Sequence, residues 1–240
     1  MSSSDCHQHY KKWQKRHEDE KKRGNWPTTQ DGWVDRWREA LNVIANEADK
    51  LREDRDIYNT YRRIVLNNPR LDKRNEFLVL VEDMYISHAL IGIRKFDDRD
   101  PQSHSMYNLI AEIIIHHDQI TKSWFVGQYD PELRQNAEKN YDRDWGSGPQ
   151  PDKEKLRDDL CSLVISCSKI REICNKYIAH IDREQPRLGV TYSEIDKAID
   201  VIYGLSERYY LLLFAESRSS ISMPAFTNIF DIPWNHKKVG

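Results

Sequence analysis

The sequence has no long hydrophobic run and no excess of one charge. No apolar stretch approaches the roughly 20 residues of a membrane-spanning helix. The N-terminal stretch MSSSDCHQHYKKWQKRHEDEKKRGNWP lacks the apolar region of a secretory signal. We therefore expect a cytoplasmic protein that does not enter a membrane. The formal net charge of -2 provides no overall positive field, so contact with nucleic acid requires a local basic patch.

The few cysteines do not form a metal or disulfide pattern. Cys161, Cys167 and Cys174 fall in one predicted helix at spacings of six and seven. Side chains two turns apart on a helix lie about 10 Å apart along the axis, which is too far for a disulfide. No CxxC pair occurs, so we expect reduced thiols, no metal ion and no cofactor. A glycine-rich phosphate loop and a nucleophile elbow are also absent from the sequence.

What the sequence does contain is helical periodicity. Apolar residues recur every three or four positions, with charged residues between them, in the segments 32–66, 72–95, 106–117, 152–182 and 192–217. The segment FLVLVEDMYISHALIGIRKF is apolar around much of its circumference and predicts a central helix. No segment alternates with the two-residue period of a strand. The sequence predicts an all-α bundle of five to six helices.

Several residues predict where helices begin. Asp31 precedes the first periodic segment, and Asp130 with Pro131 precedes a short predicted helix, DPELRQNAEKNY. Thr191 and Glu194 have the spacing of a capping box at the start of the last helix.

The composition divides the chain into three segments. Residues 1–30 contain the charged run KKWQKRHEDEKKR and predict a solvated arm, partly helical or disordered. Residues 31–217 form the bundle. Residues 218–240 predict a tail that docks on the bundle, because they contain many apolar residues: Met223, Phe226, Ile229, Phe230, Ile232 and Trp234.

The 152–182 segment has a heptad-like apolar seam. Its steps of three and four residues suit packing against a neighbouring helix in the same bundle or across a dimer. The seam residues are Leu156, Leu160, Leu163, Cys167, Ile170, Cys174, Tyr177 and Ile181.

The end of this segment, REICNKYIAHID, contains the strongest candidates for chemistry. His180 can act as an acid or base near neutral pH, and Asp182 can orient its ring or raise its pKa. Asn175 lies about 140° from His180 around a straight helix, so a joint site requires a distorted helix end or a second subunit. The alternative is that His180 and Asp182 only complete the helix, with the histidine near the negative end of the helix dipole.

The stretch CNKYIAHID resembles the signature of the HEPN superfamily, in which an arginine followed by a polar residue precedes a histidine by four to six residues. The segment SHALIGIRKFDDRDPQSHSMYNLI resembles the AbiU2-like branch, and the likeness in layout covers roughly 33–217. The resemblance implies an all-α homodimer whose shared cleft cuts RNA without a metal ion. It also implies a role in abortive infection or toxin–antitoxin defence, with a cognate antitoxin or defence partner.

By this resemblance, His180 matches the family histidine and Asn175 the polar residue, but Cys174 stands where the arginine is expected. A thiol cannot hold the scissile phosphate as a guanidinium does. Arg171 lies about 13.5 Å along the axis from His180 and about 180° around it, so it can replace the missing arginine only across a dimer.

The candidate catalytic residues are therefore His180, Asn175 and Arg171, and the candidate substrate-binding residues are Lys176, Asp182 and Arg94. For Arg94, in the charged helix end that includes Asp97, Asp98 and Asp100, an ion-pair or capping role is the alternative to lining the cleft. Two functions stay open: an RNA-cutting effector, and a non-catalytic HEPN-like module that binds nucleic acid or a protein partner.

Overall fold

The structure, a computed structural model, describes residues 3–22, 24, 26–69, 75–175 and 189–218. Within these ranges the chain forms eight α-helices and one 3-10 turn, His117–Gln119, and no strand. The helices are α1 (Ser3–Lys21), α2 (Gln30–Asn67), α3 (Glu76–Phe96), α4 (Met106–Ile115), α5 (Lys122–Gly127), α6 (Arg134–Trp145), α7 (Lys153–Ile173) and α8 (Tyr192–Phe214). The predicted all-α bundle is confirmed, and its helix count exceeds the expected five to six.

Helix α1 differs from the expected solvated arm. Lys11, Lys12, Lys15 and Arg16 are exposed, but Cys6, Tyr10, Trp13 and His17 are buried. The four buried residues follow steps of four, three and four residues, which place them on one side of a helix. The indole Nε1 of Trp13 donates a hydrogen bond to Oδ1 of Asn108, 2.7 Å away. In the sequence, the many charged residues between these positions made the apolar face hard to recognise. The predicted tail lies almost entirely outside the described residues, so its docking stays a prediction.

Helix starts depend on single side chains. Thr29, not Asp31, caps α2: its hydroxyl accepts a hydrogen bond from the backbone N–H of Gly32. Residues 131–133 form a turn, so α6 begins at Arg134 and Asp130 is not its N-cap. The capping box at the start of α8 is confirmed.

The core is built around α4 and α7. Nine of the ten residues of α4 are buried, which makes it the central helix. The described seam residues of α7, from Leu156 to Cys174, are buried as well. Helix α7 packs against α3, α4 and α8 of the same chain. The partner of the seam is therefore the bundle itself.

Helix α3 is not central, contrary to the sequence-based expectation. It buries Leu78, Ala89, Leu90, Ile93 and Phe96 against α2, α7 and α8. Several other apolar residues of this helix are exposed, among them Phe77, Leu80, Met84 and Ile91. The C-terminal ends of α3 and α7 lie together, and this junction positions the candidate site.

Candidate functional site

The site begins with a contact between the ends of two helices. Arg94, in the last turn of α3, donates a hydrogen bond from Nε to Oδ1 of Asn175, 2.8 Å away. Cys174 and Asn175 form a short π-helical turn that directly follows α7. Asn175 is exposed and Arg94 is half-buried. An arginine from another helix of the same chain therefore lies beside the motif asparagine.

Cys174, next to Asn175 in this turn, faces inward. Only 1% of its surface is exposed, and burial raises the pKa of its thiol to about 11. The thiol is therefore neutral at physiological pH and packs in the α7 seam. Position 174, where the family signature has arginine, faces the core of this molecule.

Arg171 is held within its own chain. Its Nη1 donates to Oδ2 of Asp97 at 3.3 Å. Asp97 is fully buried and also accepts two hydrogen bonds from Nε and Nη2 of Arg99, each 3.0 Å long. Burial raises the pKa of Asp97, while the charges and hydrogen bonds of Arg99 and Arg171 act to lower it. Burial also lowers the pKa of Arg171. Asp97 thus fixes two guanidinium groups near the Arg94–Asn175 contact.

Three arginines and several carboxylates meet at the junction. Arg94, Arg99 and Arg171 converge on it, and Asp97 is the carboxylate directed at them. The next two carboxylates of the loop, on Asp98 and Asp100, accept hydrogen bonds from loop backbone N–H groups instead. The three arginines are thus accompanied by three aspartates, Asp97, Asp98 and Asp100.

The loop that carries Asp97 and Arg99 is braced by α4. The side-chain nitrogen of Asn108 donates to the carbonyl oxygens of Asp100 and Ser103, at 2.5 and 2.9 Å. The hydroxyl of Ser105 donates to the carbonyl oxygen of Asp98 and accepts from the N–H of Asn108. These bonds leave the loop little freedom, so the guanidinium group of Arg99 is held in place.

Three of the six candidate residues, Lys176, His180 and Asp182, lie outside the described residues. Their roles stay predictions, as does the alternative that His180 and Asp182 only complete a helix. Lys169, a further source of positive charge in the sequence, forms an ion pair with Glu194 at 2.8 Å. Lys169 therefore pairs with the glutamate of the α8 capping box.

Sequence reasoning missed Arg99. It is only 6% exposed, and its guanidinium lies over the ring of Tyr107, 5.0 Å from the centroid. The one available signal was a lone arginine among aspartates in DDRD, before Pro101. A charged residue in a predicted loop is ordinarily solvated, so nothing local indicated burial.

Other described residues provide weaker candidates for a functional site. No group of three or more His, Cys, Asp or Glu residues in the described part of the chain is arranged to hold a metal ion. His116, which with His117 and Asp118 forms a polar cluster in the sequence, stacks on Trp33 at 3.9 Å between ring centroids. Among the helices described, none is both long and apolar enough to cross a membrane.

Comparison with known proteins identifies a family. No curated protein and no solved structure matches the chain significantly. A family model described as AbiU2 matches residues 35–228, a range that includes most of α2 and all of α3 to α8. Because this match covers more than half of the chain, the protein belongs to the AbiU2 family, an abortive-infection group of the HEPN superfamily.

Proposed function

We propose that this protein is an RNA-cleaving effector of abortive infection that acts as a homodimer and needs no metal ion. The observation that carries the proposal is the hydrogen bond from Arg94 to Asn175. It supplies a guanidinium beside the motif asparagine although the motif position itself holds a buried cysteine.

The chemistry follows from these groups. In RNA cleavage without a metal, the 2′-hydroxyl attacks the adjacent phosphorus, and the bond to the 5′-oxygen of the next nucleotide breaks. A 2′,3′-cyclic phosphate and a free 5′-hydroxyl result. His180 acts either as the general base that accepts the proton of the 2′-hydroxyl or as the general acid that donates a proton to the leaving 5′-oxygen. Arg94 stabilises the negative charge that grows on the phosphate oxygens.

The homodimer is supported by an apolar stripe on α3, formed by Phe77, Leu80, Met84 and Ile91. Their exposed fractions are 63%, 53%, 63% and 44%. They are spaced by three, four and seven residues, so they share one side of the helix. Contiguous exposed apolar residues of this kind mark an interface.

Arg94 follows Ile91 by three residues, so the α3 stripe runs toward the candidate site. A second copy that covers the stripe in a two-fold arrangement brings two sets of site residues to one cleft. In such a dimer, Asn175 of one subunit and His180 of the other share the cleft, although the two residues lie about 140° apart around one straight helix.

A non-catalytic RNA-binding or interaction module is the second candidate function. The burial of Cys174 favours it, and so does the pairing of Arg171 and Arg99 with Asp97, because Arg94 is then the arginine bonded to Asn175. A site with one such arginine suits binding as well as cleavage.

The test is cleavage of single-stranded RNA in EDTA by wild type, Arg94→Ala, His180→Ala and Arg143→Ala. Arg143 is the matched control: it pairs with its neighbour Asp144, and its carbonyl accepts a bond from Lys155 in the first turn of α7, at the end away from Asn175. We expect 2′,3′-cyclic phosphate ends from wild type and Arg143→Ala. We expect losses on the order of 100-fold for Arg94→Ala and His180→Ala.

The outcomes separate the two functions. RNA binding that Arg94→Ala weakens, without cleavage by wild type, supports the non-catalytic module. Equal cleavage by wild type and His180→Ala contradicts the ribonuclease. Absence of both cleavage and RNA binding contradicts the ribonuclease and the RNA-binding module, and leaves a module that binds a protein partner.

A further inference from the structure

The α3 stripe has the residue spacing of a coiled-coil seam. Its residues follow steps of three, four and seven, and Ser87, which is exposed, divides the last step into three and four. These five positions lie within about 80° of one another around the helix axis, and the buried residues of α3 are centred on the opposite side. The stripe is therefore a separate face of the helix, turned away from the face that packs on the bundle.

Two copies of such a seam can pair with each other in two orientations. In a parallel pair the two-fold axis runs along the helices, so each residue of the seam meets its own copy. In an antiparallel pair that covers the whole stripe, the axis crosses the helices at Met84, so Phe77 meets the partner's Ile91. Both orientations bury the apolar side chains of the stripe.

The charged residues beside the seam favour the parallel pair. With Met84 in position a of a heptad, Asp83 is in position g and His88 in position e, and both are exposed. In a parallel pair, g packs beside e of the next heptad of the partner, so Asp83 lies beside the partner's His88. In an antiparallel pair, g faces g, and the two exposed g residues of α3, Glu76 and Asp83, are both acidic, so repulsion weakens that pair.

His88 is accessible to a second copy. Its Nε2 is 2.9 Å from Oδ2 of Asp54 in the same chain, yet 58% of its side chain remains exposed. The contact within the chain therefore does not remove His88 from the surface beside the seam.

The two orientations place the candidate sites at different distances. Arg94 follows Met84 by ten residues, which is about 15 Å along the helix. In the antiparallel pair the two Arg94 residues therefore lie about 30 Å apart, at opposite ends of the seam. In the parallel pair they lie at the same end, each bonded to Asn175 of its own chain.

We propose that α3 pairs in parallel with α3 of a second copy along the seam from Phe77 to Ile91, so that the Arg94–Asn175 contacts of both subunits lie at one end of it. The dimer then has one cleft to which each subunit contributes an arginine. This inference rests on the proposed function for the homodimer and adds its orientation.

Disulfide cross-linking of the full-length protein distinguishes the two orientations. Phe77→Cys and Ile91→Cys each place one thiol at an end of the stripe and leave Leu80 and Met84 to hold the dimer. Each variant is oxidised with copper phenanthroline at a concentration at which its mass in solution is that of a dimer. In a parallel pair each thiol meets its own copy, whereas in an antiparallel pair two thiols at position 77 lie about 21 Å apart along the axis.

We expect Phe77→Cys and Ile91→Cys each to form a covalent dimer on non-reducing gels, with at least about tenfold more product than wild type, whose own cysteines give the background. Ser87→Cys, which keeps all the apolar residues of the stripe, is expected to cross-link in the same way. Ile165→Cys, at an isolated exposed residue of α7, is the matched control and is expected to behave as wild type does.

Covalent dimers that form only when Phe77→Cys and Ile91→Cys are mixed overturn the parallel pair and place the two candidate sites apart. A dimeric protein in which no stripe variant cross-links overturns it too, because α3 is then not the interface. In both cases the cleavage of RNA in EDTA, measured separately, still decides the ribonuclease. A monomeric wild type overturns the inference together with the homodimer of the proposed function.

Discussion

At the scale of single residues, burial decides what the motif side chains can do. Cys174 and Asn175 are neighbours in sequence, yet one is buried in the core and the other is exposed beside Arg94. The sequence predicted a missing arginine at position 174. The structure adds that a guanidinium at this position would lie in the α7 seam, away from the Arg94 contact.

Restoring the family arginine is therefore expected to damage the protein. Cys174→Arg forces a charged, larger side chain into a position that is 1% exposed, which lowers the free energy of unfolding by about 3–5 kcal/mol. Urea denaturation measures this loss. Cys174→Ala, which leaves only a small cavity, is the control and costs less. A stable Cys174→Arg protein would contradict the inward orientation.

A second prediction at this scale concerns pH. His17 is buried between Trp13 and Trp26, and neither of its ring nitrogens has a hydrogen-bond partner within the described part of the chain. Burial, and then the charges of Arg36 and Lys21, lower its pKa to about 4. The folded state binds this proton less well than the unfolded state. The contribution of neutral His17 to stability is therefore complete above about pH 6.5 and is lost as the pH falls toward 4.

The measurement is the free energy of unfolding at pH 7.5 and pH 5. Wild type is expected to lose about 2 kcal/mol through His17 over this interval. His17→Phe keeps a ring beside Trp13 and removes the titrating group, so its loss is smaller by that amount. His7→Phe, at an exposed residue of the same helix, is the control for the substitution itself. An unchanged pH dependence in His17→Phe would contradict the prediction.

At the scale of elements, α1 is the helix whose role changed most between sequence and structure. It contributes Trp13, which is 1% exposed and lies edge-on to Tyr107 and stacked on His17. An element predicted as a solvated arm is thereby part of the hydrophobic core.

Trp13→Ala is expected to release α1 from the bundle. The loss of a buried indole and of its bond to Asn108 lowers the free energy of unfolding by about 3–5 kcal/mol. Hydrogen exchange is expected to accelerate in α1 before it does in α4 or α7. Lys15→Ala, on the exposed face of α1, is the control and changes stability by less than about 0.5 kcal/mol. Slow exchange in α1 of the tryptophan variant would contradict the docking.

At the scale of the whole molecule, the α3 stripe distinguishes α3 from the other helices that pack on α7. The residues of the stripe are exposed, although α3 is the second most apolar helix of the bundle, after α4. Scattered exposed apolar residues elsewhere, such as Val43 and Ile165, do not form a comparable row on one helix.

The dimer is tested by mass in solution. Met84→Lys places a charge in the middle of the α3 stripe, so we expect wild type to be a dimer and the variant to dissociate at concentrations at least about tenfold higher than wild type does. Ile165→Lys, an equally drastic change at an isolated exposed residue of α7, is expected to leave the dimer intact. A monomeric wild type at micromolar concentration would contradict the shared cleft.

Features formed by residues close together in the sequence could be predicted, and contacts between distant residues could not. The α7 seam from Leu156 to Cys174 and the Thr191–Glu194 capping box were correctly predicted, because each feature depends on residues a few positions apart. Arg94 and Asn175 are 81 positions apart, and no periodicity connects them. Arg94 was proposed for substrate binding, but its contact with Asn175 was not foreseen.

By itself, the sequence determined that the chain forms amphipathic helices, where several of them begin and end, and that the motif arginine is absent. These properties follow from apolar spacing, capping side chains and residue identity, which act locally. Only the tertiary structure decided that Cys174 faces the core, that Arg94 lies beside Asn175, that α1 is docked and that the α3 stripe is exposed. These depend on which helix faces meet, and that is settled when the whole bundle buries its apolar surface at once.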